Sequence, residues 1–279
     1  MRKTVLVVDD DEGLRAHLVS VLERDGFRAL SARDAEEGLK MLAREKVDVA
    51  LLDVWMPGMN GLEMLDTLRQ RSLQVQVIIM SGAATQEAAL SALRAHACDF
   101  LAKPFTPEEM LSAVRAALDF CGKDGIEVLS ARPEWIELRI ACRVSAIEPL
   151  GRIMVQLTAS LPAEARENMA FAFREMLRNA IEHGGKNDPH RHVEVACLRT
   201  PRLVLYRIKD PGEGFSLEGL PHAALADNVD PIQHQRVRAD LGMRPGGLGI
   251  LLTRRMVDEM IYNQRHNEVV LIKYVNGVP

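Results

Sequence analysis

The first 120 residues repeat one pattern: a short, almost wholly apolar run, a turn, then a stretch with apolar residues at helical spacing. The runs are Val5–Val8, Phe27–Ser31, Val47–Leu52, Val75–Met80 and Cys98–Leu101. Runs this short and this apolar read as strands buried on both faces. Between the first two, Leu14, Leu18, Val21 and Leu22 keep helical spacing. Strand and helix in alternation imply a parallel sheet covered on both sides. Ligands of such sheets bind beyond the carboxyl ends of the strands. The residues that follow each run therefore decide what this half of the chain can do.

Asp9 and Asp10 close the first run, Asp53 closes the third, Ser81 the fourth, and Lys103 follows the fifth. Carboxylates converging on one rim repel each other unless a cation sits between them, and an all-oxygen donor set suits Mg²⁺. Lys103 would neutralise phosphoryl oxygens there, and Ser81 could donate a hydrogen bond to one. Asp11 extends the acidic run, but a single Asp at this position also serves as a helix cap. Met56 to Gly61 is a turn on any reading.

This ordered set resembles the receiver domain of two-component response regulators over essentially all of residues 1–120. The resemblance implies a flavodoxin-like, doubly wound sheet of five parallel strands. It implies that Asp9, Asp10 and Asp53 bind Mg²⁺, that Asp53 is the phosphoacceptor and that Lys103 contacts the phosphoryl group. It further implies a switch pair, Ser81 and Phe100, a cis peptide bond before Pro104, and a sensor histidine kinase as phosphodonor.

Pro107 to Phe120 reads as the last helix of this half, with proline in its first turn. Gly122 and Gly125 then suggest a short connection. The expected division is 1–120, a linker at 121–134, and a second domain at 135–279. The connection is too short for a phosphotransfer hairpin of two helices. No histidine lies between residues 120 and 170, so autophosphorylation on histidine in the manner of a sensor kinase is not expected.

In the second half, Ile136–Val144 reads as a strand, and Ser145 and Ala163 each precede a helical pattern. The later helix, about Ala163 to His183, carries Glu175, Asn179 and His183 at i, i+4 and i+8, near one face. A carboxylate and an amide one turn apart suit a proton acceptor beside a Mg²⁺ ligand. A solvated polar stripe fits the same spacing, and His183 fits structural packing as well as ligand contact. Leu203–Lys209 reads as a strand ending in Asp210. Gly212 and Gly214 follow, letting the backbone turn tightly beside a flat ligand. Asp210, if buried, could accept a hydrogen bond from the exocyclic amine of adenine. Residues 215–243 lack periodicity and read as a lid. Gly246, Gly247 and Gly249 lead into a helix over Leu248–Met260, where backbone N–H groups can face phosphates.

These three boxes resemble those of the GHKL ATPase superfamily over about residues 135–279. Within it, E-M-L-R-N-A-I-E-H, D-P-G-E-G-F and G-G-L-G-I-L-L-T-R-R-M-V-D-E-M look most like the anti-sigma-factor serine kinases of partner-switching systems. The resemblance implies an α/β sandwich of the Bergerat type binding ATP. It implies Asn179 as Mg²⁺ ligand, Asp210 as adenine contact and Glu175 as general base. Its members phosphorylate a serine on an anti-anti-sigma-like partner, and some bind a sigma factor. Arg178, Arg236, Arg238 and Arg244 are all open as phosphate contacts, and surface solvation fits each of them.

Composition bounds the rest. The chain has 279 residues, 47% hydrophobic and 27% charged, the profile of an ordinary globular protein with room for two domains. A net charge of −4 gives no footprint for nucleic acid or a membrane surface. Neither a signal peptide nor a spanning segment is expected. Cys98, Cys121, Cys142 and Cys197 lack metal-site spacing, which points to a reducing cytoplasmic setting.

The leading expectation is a cytoplasmic response regulator whose output is an ATP-dependent protein serine/threonine kinase. One rival is a nucleotide-binding module that sequesters a sigma factor or another regulator. Another is a modulator of a histidine kinase. No basic helix-turn-helix pattern follows the receiver. Homodimers are compatible with both families.

Overall fold

A computed structural model describes residues 2–83, 85–120, 125–214 and 249–276. The chain divides into two compact units: Met1–Ala131 with Glu148–Leu157, and Arg132–Ile147 with Thr158–Pro279.

In the first unit, β1 (Thr4–Val8), β2 (Arg28–Ala32), β3 (Val49–Asp53), β4 (Gln76–Ser81) and β5 (Asp99–Ala102) alternate with helices. These are α1 (Glu12–Arg24), α2 (Ala35–Arg44), α3 (Gly61–Gln70), α4 (Gln86–Arg94) and α5 (Pro107–Phe120). The five strands form one parallel sheet in the order β2-β1-β3-β4-β5. This is the doubly wound sheet expected. The observed strands begin a residue or two later than most of the apolar runs, because pairing rather than hydrophobicity sets their ends. Val5, Val7, Val49, Leu51, Ile78, Met80 and Leu101 form a core with Leu18 and Leu22 of α1 and Met110 and Val114 of α5. Burying such side chains contributes about 1.5–3 kcal/mol each and holds the strand ends in line.

Local chemistry sets where the helices start. Asp11 caps α1, its carboxylate accepting from the Leu14 N–H at 2.9 Å, so its side chain is used there. Asp34 caps α2. Asn60 and Glu63 form a reciprocal capping box on α3. Thr85 caps α4. The stretch expected as linker contains strand β6 (Ile126–Ala131). Burial that alternates from Ile126 to Ser130 marks it as a half-buried strand rather than free connection.

The second unit is built on antiparallel strands: β7 (Trp135–Ala141), β8 (His192–Arg199), β9 (Leu203–Lys209), β10 (Glu259–Tyr262) and β11 (Glu268–Tyr274). Their order is β10-β11-β9-β8-β7. Every second residue of β9 is buried, as expected of a sheet with one covered face. Helix α7 (Ala163–Asn179) buries Met169, Phe173, Met176 and Leu177, and Phe173 meets Tyr206 of β9 at a ring separation of 4.9 Å. Helix α6 (Ile147–Leu157) follows a 3-10 turn at Val144–Ala146. Its residues Glu148–Leu157 belong to the first unit.

Two helical expectations are corrected. The helix expected over Leu248–Met260 is shorter: α8 covers Gly249–Met256, and Met260 lies in β10, paired with Leu271. Sheet pairing there outweighs a helical period that continues through the sequence. The helix expected to reach His183 is α-helical only to Asn179 and then widens into a π turn over Ala180–Gly184, with the Gly185 N–H on the Ala180 carbonyl at 2.8 Å.

Candidate functional site

The register of the first sheet assembles the acidic rim. Val8 pairs with Leu52, so Asp9 and Asp53 leave neighbouring strands side by side. Asp53 pairs with Met80, and Ser81 pairs with Ala102, which brings Ser81 and Lys103 to the same rim. Asp9 is fully buried, Asp53 nearly so, and Asp10 is exposed. Carboxylate oxygens of the three lie within 4.8 Å of one another. Lys103 Nζ stands 2.8 Å from Asp9 Oδ2 and 2.8 Å from Asp53 Oδ1.

Burial pushes the Asp53 carboxyl above its ordinary value; Lys103 works against this, while Asp9 and Asp10 add to it. Burial pulls the Lys103 ammonium down, but its hydrogen bonds to Asp53 and Asp9 prevail and raise it. One ammonium among three carboxylates leaves a surplus of negative charge. An all-oxygen, anionic pocket of this kind fits a small hard divalent ion such as Mg²⁺.

Ser81 is buried, and its hydroxyl donates to the Ala83 carbonyl at 2.9 Å. Phe100 is buried as well. The Lys103–Pro104 peptide is cis, as the receiver resemblance implies. A β-carbon on Gly61 would fall 2.1 Å from the Asp53 carbonyl oxygen, so only glycine lets α3 start this close to the strand end.

In the second unit, α7 and α8 pack together. Glu175 and Asn179 lie one turn apart, both half-buried. A β-carbon on Gly249 would stand 2.6 Å from Glu175 Oε2, so the start of α8 closes directly on this carboxylate. Arg178 lies 3.9 Å from Glu175 and 4.0 Å from Glu182. His183 is exposed. His183 stands within a π turn over Ala180–Gly184, which winds more slowly than an α-helix.

Asp210 closes β9. A β-carbon on Gly184 would fall 2.3 Å from its Cγ, and one on Gly212 would fall 2.7 Å from its Oδ1. The Gly212 N–H donates to Oδ1 at 2.7 Å. Burial raises the Asp210 carboxyl, opposed by that hydrogen bond and by Arg191. Gly214 has φ +89°, and a β-carbon there would collide with the Arg265 carbonyl. Glycines on two sides let the backbone close tightly on the half-buried Asp210 carboxylate. A third glycine, Gly249, lets α8 close in the same way on Glu175.

Several residues of this site were not singled out from sequence. Arg191 donates to the Pro211 carbonyl and holds the turn after Asp210. Asn267 donates to the Gly212 carbonyl at 3.2 Å. Cys142 lies under Gly185, and burial pushes its thiol up to about 11. Only the Gly184–Gly185 pair carried a local signal. Gly246, Gly247, Arg236, Arg238, Arg244 and the expected lid lie outside the described residues.

Comparison with known proteins gives two family matches. Residues 5–115 match the response regulator receiver domain, and residues 141–273 match the histidine kinase-like ATPase domain. Among curated relatives, the alkaline phosphatase synthesis transcriptional regulatory protein PhoP of Bacillus subtilis is 36% identical over 118 residues, 42% of this chain and 49% of that protein. The nitrogen assimilation regulatory protein NtrX of Azorhizobium caulinodans is 29% identical over 163 residues, 58% of this chain and 34% of that protein. The chain thus spans half or less of the length of these relatives. A CheY-like receiver domain protein from Methanospirillum hungatei is similar at 30% identity and a TM-score of 0.41, covering 43% of this chain and 95% of that one. Among the described residues, no helix is long and apolar enough to cross a membrane.

Proposed function

The chain joins a response regulator receiver domain to a histidine kinase-like ATPase domain, and from that premise we propose that it is a phosphorylation-controlled protein serine/threonine kinase acting on an anti-anti-sigma-like partner. In the first unit, Asp53 takes a phosphoryl group from a sensor histidine kinase: a carboxylate oxygen bonds to phosphorus as the phosphorus–nitrogen bond of the phosphohistidine breaks. Asp9, Asp10 and Asp53 would hold Mg²⁺, which when bound neutralises charge on the phosphoryl oxygens. Lys103 remains beside Asp53 to pair with the new phosphoryl charge.

In the second unit, Asp210 accepts a hydrogen bond from the adenine amine. Asn179 would hold the Mg²⁺ that accompanies ATP. Glu175 takes the proton of the substrate hydroxyl, whose oxygen attacks the γ-phosphorus while the bond to the β-phosphate oxygen breaks. The single observation that carries this reading is the closeness of Glu175 Oε2 to the α8 start, 2.6 Å from where a Gly249 β-carbon would lie. A carboxylate at the phosphate end of a nucleotide cradle is where a proton acceptor for phosphoryl transfer has to be.

The test is phosphotransfer from γ-labelled ATP with Mg²⁺ to anti-anti-sigma-like proteins, with Glu175→Gln as control. Acid-stable label on a partner, absent with Glu175→Gln, is the expected result. ATP binding without acid-stable transfer would overturn the kinase reading in favour of a sequestering module.

A further inference from the structure

Strand β5 carries an ion pair that lies outside both sites. Arg152 Nε donates to Asp99 Oδ1 at 2.9 Å and Oδ2 at 3.2 Å, and Nη2 donates to Oδ2 as well. The Asp99 side chain is 1% exposed and that of Arg152 is 19% exposed. The Phe100 N–H donates to the same Asp99 Oδ1 at 2.7 Å. One carboxylate therefore ties the backbone of β5 to α6.

The position of this carboxylate is telling. In β5, Phe100 pairs with Ile79 and Ala102 pairs with Ser81, and Lys103 follows. The short strand runs directly from the phosphoacceptor rim to the ion pair. Asp99 lies within the receiver match, whereas Arg152 lies within the ATPase match. Helix α6 is covalently continuous at both ends with chain of the second unit, through Ile147 and Thr158. Burial pulls the Arg152 guanidinium down, but Asp99, with Glu148 and Glu109, more than restores it. Buried ion pairs add little stability compared with apolar packing, and their best-attested use is to fix a register or a switch. A bidentate guanidinium is also directional, so it follows rotation of the strand that holds its partner.

We propose that the Asp99–Arg152 pair is the link by which the phosphorylation state of Asp53 reaches the ATPase half, with α6 as the receiver's built-in partner. This inference rests on the reading of Asp53 as phosphoacceptor and deepens the proposed regulation. Recruitment of Lys103, which directly follows β5, to a phosphoryl group on Asp53 pulls on that strand. Asp99 turns with the strand, and Arg152 carries that turn into α6.

The test is hydrogen exchange of the full chain, with and without beryllofluoride and Mg²⁺, a mimic of the phosphorylated aspartate. Fluorescence of Trp55, close to Asp53 in sequence, reports that the mimic has bound. In the native protein, exchange of residues 148–157 changes by about fivefold or more, the lower end of a typical coupling. With Arg152→Met that change disappears, although the mimic still binds. Should Arg152→Met fail to fold, Arg152→Lys keeps the charge without the fork, and a reduced response is then expected. An α6 that ignores the bound mimic in the native protein overturns the proposal, and so does a full response in the folded variant. ATP affinity measured on the same samples separates the two readings. A native protein that binds no nucleotide fails the kinase reading, while the α6 response still decides this one.

Discussion

Glu175 Oε2 stands 2.6 Å from the point where a β-carbon on Gly249 would lie. The obstructing atom is the far end of a flexible side chain, so an added methyl would displace the carboxylate rather than the backbone. Gly249→Ala is therefore expected to change stability by less than about 1 kcal/mol while lowering phosphotransfer by about 10²-fold, the lower range for a displaced acid–base group. Thermal unfolding and single-turnover transfer from labelled ATP measure both. Unchanged transfer would mean that the carboxylate does not act from this position.

Gly184 presents the opposite case. A β-carbon there would lie 2.3 Å from Asp210 Cγ and 2.5 Å from Asp210 Cβ, atoms close to the backbone that have little room to yield. Gly184→Ala should destabilise the second unit by about 1–3 kcal/mol, as overpacking does. It should also abolish ATP binding, read by titration with a fluorescent nucleotide. A variant that binds ATP normally would remove Asp210 from the site.

Lys103 is the cation that separates Asp9 from Asp53. With Lys103→Met, two buried carboxylates face each other uncompensated, and a loss of about 3–5 kcal/mol is expected in the presence of a chelator. Added Mg²⁺ should restore much of it, because an ion that binds only the folded state stabilises it by mass action. The native protein, with its lysine in place, should gain less from Mg²⁺. Equal gains in denaturant titrations would argue against divalent binding at this rim.

Asp48 supplies a pH signature away from both sites. Burial acts to raise its carboxyl, but Lys3 Nζ at 2.8 Å and the Thr4 N–H at 2.9 Å prevail and hold it below the ordinary carboxylate range. A carboxyl depressed by folding stabilises the folded state above its unfolded value of about 3.9, and this contribution is lost as pH falls through the lower folded value. Because Lys3 is largely exposed, the contribution should be below about 1 kcal/mol. Asp48→Asn should therefore cost stability at pH 7 and almost none near pH 2. An equal cost at both pH values would assign the effect to geometry instead of charge.

The sequence by itself determined much of the first unit. Its apolar runs, its capping residues and the order Asp9, Asp10, Asp53, Ser81, Lys103 are local facts. A parallel sheet with these strand ends leaves few places for those side chains to go. The sequence also marked Glu175, Asn179 and Asp210, since one-turn spacing and a glycine turn are read within a short window. Only the tertiary structure decided the rest. Met260 sits in a strand because β11 pairs with it, against a continuing helical period. The helix that carries Glu175 and Asn179 widens into a π turn at Ala180–Gly184, a change of winding that no spacing rule registers. Gly184 matters because Asp210, far along the chain, packs against it. Asp99 and Arg152, 53 residues apart, meet across elements with no shared pattern. Periodicity and capping report the energies of neighbouring residues. Contacts between distant segments depend on how whole elements close around a core, and no short stretch of sequence contains that information.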